Sequence, residues 1–450
     1  MLRRGVLLVA VSLALAPAGC GGRMTAPPSP VKAGYNPAEL IDPAGAAVAE
    51  HNVDMKDFFA LAERVRRERR PAVVPPPKNV LALSGGGVYG SYCAGVLVGW
   101  TTAGTRPTFD VVTGISTGAL IAPLAFLGSE YDGELQQVYT TLKNKDVFRL
   151  KKTLRSLLSE SLADSGPLAG KIEEMVTPAL LAAVAAEHRR GRRLYVGTTE
   201  LESRRAVIWD LGEIAARGTP EDLALFRKVL LASAAIPGFF PPVRIPVTVD
   251  DKKLEERHVD GGVSNSLFFR PPVPPPDVDC RSAGQVKAAL YGTNVYALVA
   301  GKMYADSSEV SRRALTIAAN SISTLIYSQT RGDLLKLYTA CVLTGMNYYV
   351  ASIPAEFPAT TSSTDFDPTE MARLFAEGVR QVGCGTAFRT TPPGLEPGEG
   401  SFLRVGTALV RRDVAGGARV SPQAQPAALF PLLGNGTGPL IPFSPQPVEK

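Results

Sequence analysis

Two glycine-rich turns about thirty residues apart constrain this chain more than any other feature. The first, Ser84-Gly85-Gly86-Gly87-Val88-Tyr89-Gly90, follows the apolar run Asn79-Val80-Leu81-Ala82-Leu83. The second, Gly114-Ile115-Ser116-Thr117-Gly118, follows Phe109-Asp110-Val111-Val112-Thr113 and leads into small and apolar residues from Ala119 to Leu127. Each reads as strand, tight turn and helix, with strands at 79–83 and 109–113 and a helix over 119–127. Two such units in succession call for an α/β architecture, in which helices cover a sheet. The G-x-S-x-G pattern lifts a serine out of a strained turn for nucleophilic attack. The first turn presents backbone N–H groups at a helix N-terminus, where negative charge is stabilised.

The rest of the chain divides around this core. Of 450 residues, 45% are hydrophobic and 20% charged, a globular balance with ample material to bury. Arg3 and Arg4 precede an apolar run from Val6 to Ala16, then Pro17-Ala18-Gly19-Cys20. That is the pattern of an export signal, too short for a membrane span. Cys20 after Ala18-Gly19 resembles the lipobox of bacterial lipoproteins, in which the cysteine is acylated; Pro17 departs from it, and simple secretion is the alternative. The organisation expected is a signal peptide over 1–19, a tether with a short helix and proline linker over 20–77, a hydrolase domain over 78–384, and a proline- and glycine-rich tail over 385–450. Within the domain, strands are expected at 193–198, 206–209 and 294–299, and a helix from Asp367-Pro368, where Asp367 can cap and Pro368 suits the first position. Residues 143–190 read as helical, with Leu154, Leu157, Leu158 and Leu162 on one face, either a cap over the site or a packing layer. The formal charge of +6 is mildly basic and would assist approach to an anionic membrane surface. Cys93, Cys280, Cys341 and Cys384 remain after Cys20, their pairing open.

A serine hydroxyl needs a base within hydrogen-bond reach. Only His51, His188 and His258 are available, and no histidine follows His258. This excludes the order Ser, Asp or Glu, His of the α/β-hydrolases. His51 falls in the tether, His188 in a charged surface stretch, and His258 reads as a strand histidine at a partly exposed position. The remaining base is a carboxylate: Asp260, in His258-Val259-Asp260-Gly261-Gly262, if burial raises its pKa toward the working pH. A plain Asp-Gly turn is the competing reading of that segment. Gly85, Gly87 and Gly90 also satisfy the dinucleotide pattern G-x-G-x-x-G, but Asp110, the acidic partner at suitable spacing, stands at the start of its strand and not the end. No Gly-Lys-Ser/Thr follows for a Walker loop. The histidines are scattered and the cysteines lack ligand spacing, so neither a metal nor another cofactor is called for.

Together these segments resemble the patatin-like phospholipase family of Ser-Asp dyad lipid acyl hydrolases. The glycine turn at 85–90, the elbow at 114–118, Ala232-Ser233-Ala234-Ala235-Ile236-Pro237 and Asp260-Gly261-Gly262 occur in the family's order. The resemblance implies a three-layer α/β fold with a central, largely parallel sheet. It implies Ser116 as nucleophile, Asp260 as its base, an oxyanion hole from Gly85, Gly86, Gly87, Val88 and Gly90, and an elbow framed by Gly114 and Gly118. Tyr89 departs from the family, which often carries Arg or Lys there. The function expected is hydrolysis of a lipid or phospholipid ester through an acyl-serine, at the cell envelope and on a membrane surface through a lipid anchor at Cys20, with no nucleic-acid partner. The alternative is a catalytically silent lipid-binding envelope protein of the same fold.

Overall fold

A computed structural model describes residues 76–151, 159–272, 288–306, 314–360 and 362–394, with short pieces at 40–41, 62, 64–65, 67–68, 399 and 410–411. The signal peptide, Cys20, most of the tether and its helix, Cys280 and most of the tail lie outside the described residues.

Eight strands form one sheet: β1 (Asn79–Leu83), β2 (Val111–Ile115), β3 (Arg193–Glu200), β4 (Arg205–Asp210), β5 (Val243–Val249), β6 (Lys252–Asp260), β7 (Asn294–Lys302) and β8 (Asn347–Ile353). Their order is β8-β7-β1-β2-β3-β6-β5, with β4 on the other edge of β3. The run from β8 to β3 is parallel throughout, whereas β4 and β6 join β3, and β5 joins β6, antiparallel. The helices are α1 (Gly90–Thr102), α2 (Thr117–Leu127), α3 (Asp132–Thr141), α4 (Asn144–Val147), α5 (Gly166–Met175), α6 (Pro178–Arg189), α7 (Leu211–Arg217), α8 (Pro220–Ser233), α9 (Ala314–Thr344) and α10 (Pro368–Gly383).

Alternation along β1 shows how the layers arise. Leu81 and Leu83 enter a core shared with α1, α2 and α10, while Val80 and Ala82 enter a second core beneath Leu334, Leu337 and Cys341 of α9. A strand buried on both faces is apolar at every position, which is why 79–83 reads as a continuous run. The result is three layers with a largely parallel sheet between them. At the starts of three parallel strands, Asn294 donates from Nδ2 to Asn79 Oδ1 at 3.0 Å and Asn347 donates to Asn294 Oδ1 at 2.8 Å. This side-chain ladder holds β7, β1 and β8 in register where their backbones begin.

Several boundaries differ from the sequence expectation. The second strand runs Val111–Ile115, two residues later than 109–113. Asp110 stands just before the ladder: its N–H donates to Asn79 O and its carbonyl accepts the Arg193 N–H, both at 2.8 Å, and its carboxylate accepts the Asn79 N–H at 2.7 Å; pairing continues through Gly114 and Ile115 against Val196 and Gly197. The helix after it starts at Thr117. Residues 143–190 are not one helical stretch: a two-residue hairpin, Arg149–Leu150 against Ala163–Asp164, separates α4 from α5. Residues 152–158, with Leu154, Leu157 and Leu158, lie outside the described residues, and Leu162 is 46% exposed. Asp367 caps α10 by accepting from Thr369 N at 3.0 Å, with Pro368 in the first position.

Candidate active site

Ser116 and Asp260 meet because two strands share one edge of β3. Along that edge β2 pairs Ile115 with Gly197, its last contact, and β6 then takes over by pairing Asp260 with Thr198. The opposite edge of β3 is occupied by β4 over the same residues. Consecutive residues of β3 therefore hold the residue before Ser116 and Asp260 itself. The Ser116 side chain faces the Asp260 carboxylate closely enough to lower its pKa.

The turn that carries Ser116 is strained. Its φ of 53° and ψ of −124° lie where L residues are rare, a conformation that costs ~1–3 kcal/mol and requires support from its surroundings. Gly114 and Gly118 make the turn possible: a Cβ on Gly114 would sit 2.5 Å from Gly118 O, and one on Gly118 would sit 2.6 Å from Leu83 O. The backbone N–H of Ser116 is donated to Ser233 Oγ at 3.0 Å, and Ser233 in turn donates to Gly197 O at 2.7 Å. Two residues on, Ala235 O accepts the Asp260 N–H at 2.9 Å. One segment at the end of α8 thus fixes both members of the pair. Tyr139, buried on α3, donates to Thr117 O at 3.1 Å and supports the first turn of α2.

Asp260 is 6% exposed. Burial pushes its carboxyl up from the ordinary range to about 6, against the lowering effect of the nearby Ser116 side chain and of the Gly262 N–H, which Asp260 accepts at 2.7 Å. A carboxylate in this state accepts a proton far more readily than a solvated aspartate does.

Of the five residues expected in the anion cradle, two retain backbone N–H groups without a partner. Gly85 N donates to Ser266 O at 3.1 Å and Val88 N to Ser363 O at 2.9 Å, while the Gly90 N–H caps the short turn onto Gly87 O and Val88 O. The N–H groups of Gly86 and Gly87 have no protein acceptor among the described residues. Gly85 lies against the Ser116 turn, since a Cβ there would sit 3.0 Å from Ser116 Cβ. Gly87 has a φ of 56°, and a Cβ on it would meet Ser363 O at 2.0 Å.

A cavity of about 520 Å³ opens beside Ser116. Gly87, Ser116 and Thr117 lie at one end; Leu120 and Leu124 of α2, Leu142, Ile172, Met175, Phe239 and Phe240 form much of an apolar wall. The insertion over 143–190 therefore encloses the site through α4 and α5. Thr360 and residues 362–366 form a strap along another side: Tyr89 donates its hydroxyl to Thr360 O at 2.5 Å, and Asn144 holds Asp365 and the Phe366 N–H at 2.9 and 2.7 Å. Nothing in the sequence pointed to the strap, whose partners lie more than two hundred residues away; Ser233 stood out only within the family segment Ala232–Pro237, without its supporting contact to Ser116 N.

The described histidines stand apart from Ser116. His258 is fully buried, not partly exposed: Thr198 Oγ1 lies 3.0 Å from Nδ1, Glu256 3.0 Å from Nε2, and Trp209 packs on the ring. His188 meets Glu213 at 3.1 Å. Asp110 lies at the opposite end of its strand from the elbow, so the dinucleotide geometry is not formed. Among the described residues no group of three His, Cys, Asp or Glu side chains could hold a metal ion, and no helix is long and apolar enough to cross a membrane. Cys93 is buried and Cys384 exposed, both as free thiols.

Residues 81–273 match the family model of the patatin-like phospholipases. No curated protein matches the chain. Among solved structures it is similar to VipD from Legionella pneumophila, at 11% identity and a TM-score of 0.31 over 71% of this chain and 69% of that one. It is also similar to the type III effector protein ExoU, at 16% identity and a TM-score of 0.21 over 70% of this chain and 53% of that one, about half of its length.

Proposed function

We propose, from the patatin-like phospholipase domain that this chain carries, that it hydrolyses carboxylic esters of lipids through an acyl-serine intermediate. The observation that carries the reading is that Gly197 and Thr198, consecutive on β3, bring the Ser116 elbow and buried Asp260 together beside an apolar cavity. Asp260 takes the proton from Ser116 Oγ as that oxygen adds to the ester carbonyl. The Gly86 and Gly87 N–H groups receive the resulting oxyanion, a contribution typically worth about 10²-fold or more per donor. Gly85, Val88 and Gly90 shape the loop. Collapse breaks the ester C–O bond, and the departing alcohol takes the proton from Asp260. Water then adds to the acyl-serine, giving its proton to Asp260; the second collapse returns that proton to Ser116 and releases the fatty acid.

The apolar wall suits the acyl chain. Purified protein lacking residues 1–19 is expected to release fatty acid from lipid esters and to be labelled at Ser116 by a fluorophosphonate. Hydrolysis at the native rate by Ser116→Ala, or a folded protein that the probe never labels, overturns the assignment and favours a silent lipid binder. The basic and apolar N-terminus before Cys20 supports placement at the cell envelope through an acylated Cys20. Labelled palmitate incorporated by the native protein and equally by Cys20→Ser would remove that placement.

A further inference from the structure

The charged residues around the cavity bear on which lipid it takes. Among the described lining residues they are Glu134 of α3, Asp146 of α4, and Lys171 and Glu174 of α5. Lys171 Nζ lies 2.7 Å from Glu174 Oε2, so the one cation in this set is already neutralised. The four lining charges leave a formal balance of two negative, with Asp146 also accepting the Lys143 N–H at 3.0 Å. At the glycine end the polar groups of the strap, Ser363 and Thr364, are uncharged. Tyr89 adds no donor there, because its hydroxyl is spent on Thr360 O, and Asp306 and Glu370 lie near enough to raise its pKa further after burial and Tyr327.

The scissile ester of a glycerophospholipid stands only a few bonds from its phosphate. With that ester carbonyl at Ser116, the phosphate would be drawn from water toward carboxylates, with no free cation among the described lining residues to receive it. Like charges brought together at a binding surface oppose association, and such opposition is how a site rejects a competing ligand. A neutral acylglycerol carries hydroxyls in place of the phosphate, and Ser363 and Thr364 can donate to or accept from them. We infer that the cavity selects neutral lipid esters of the acylglycerol class over esters of anionic glycerophospholipids. The inference rests on the hydrolase reading and narrows it.

The test uses three lipids with one acyl chain, 1-decanoylglycerol, its 3-phosphate and its 3-phosphocholine, and nitrophenyl decanoate as a headgroup-free control. The expected order of kcat/KM is glycerol, phosphocholine, phosphate, with about tenfold or more between the first and last at low salt, narrowing as salt screens the exposed rim. Glu134→Lys/Glu174→Lys, with each rate divided by that variant's own nitrophenyl rate, should raise the phosphate ester relative to the neutral one. Equal or faster cleavage of the phosphate ester by the native protein overturns the inference. So does an unchanged ratio in a double variant that still cleaves the nitrophenyl ester. Native protein that cleaves the nitrophenyl ester but favours the phosphate leaves the hydrolase reading standing and removes this one; cleavage of neither removes both.

Discussion

Ser233 Oγ lies 3.0 Å from the backbone nitrogen of Ser116 and accepts its N–H, in a fully buried position at the end of α8. The same segment receives the Asp260 N–H through Ala235 O at 2.9 Å. Ser116 and Asp260 are therefore registered by one piece of chain through their backbones. Removing the Ser233 hydroxyl leaves a buried N–H without a partner, at a cost of about 1–3 kcal/mol, in a turn already strained. Ser233→Ala is expected to lower kcat by about tenfold with KM little changed, and to slow fluorophosphonate labelling in parallel. A merely structural role would lower the melting temperature and leave kcat per folded molecule intact.

The pH dependence follows from Asp260. Its carboxyl is raised to about 6, so below that pH the base is protonated and kcat/KM should fall about tenfold per pH unit, with a plateau above. Stability runs the other way. A carboxyl whose folded pKa exceeds its unfolded value binds more protons when folded, so the folded state is favoured below about 4 and loses that contribution as pH rises to about 6. Asp260→Asn should remove both limbs: activity down by about 10²–10⁴-fold at pH 8, and less decline in melting temperature between pH 4 and 7 than in the native protein. An acidic limb that persists in Asp260→Asn would assign it to another group.

How far the sequence discloses this site depends on the range of each contact. Strand β1 and the elbow are legible because the apolar run, the glycines and the serine lie within a few residues of one another. The strand before the elbow begins at Val111, and the Asp110 carboxylate just before it accepts the N–H of Asn79, a partner thirty-one positions away. His258 reads in the sequence as a strand histidine at a partly exposed position, yet Thr198, Trp209 and Glu256 enclose it. The strap has no local signature at all; its place is set by Val88, Tyr89 and Asn144, more than two hundred residues earlier.

Gly87 joins the loop to that strap. With a φ of 56° and a Cβ position 2.0 Å from Ser363 O, alanine there would be strained and would displace either the loop or the strap. Gly87→Ala is expected to cost about 10²-fold or more in kcat by moving the Gly86 and Gly87 N–H groups off the oxyanion. Fluorophosphonate labelling, which also builds negative charge on an oxygen at this point, should slow with it. Labelling at the native rate would separate the loop from charge stabilisation.

Leu124 sets the depth available to an acyl chain. It lies eight residues beyond Ser116 on the cavity side of α2, and at 1.5 Å per residue that is about 12 Å along the helix axis. A larger side chain there should shorten the apolar wall without reaching the reacting carbonyl. Each methylene denied burial costs ~0.8 kcal/mol, so loss of two would lower kcat/KM by roughly tenfold. Leu124→Phe is therefore expected to reduce hydrolysis of a dodecanoyl ester by about tenfold relative to a butanoyl ester, since the shorter chain ends before the added ring. The substitution overpacks a position only 2% exposed, and ~1–3 kcal/mol of stability should be lost with it. Comparing the ratio of the two esters in one preparation cancels any loss of folded protein. A ratio equal to the native one would place the acyl chain elsewhere.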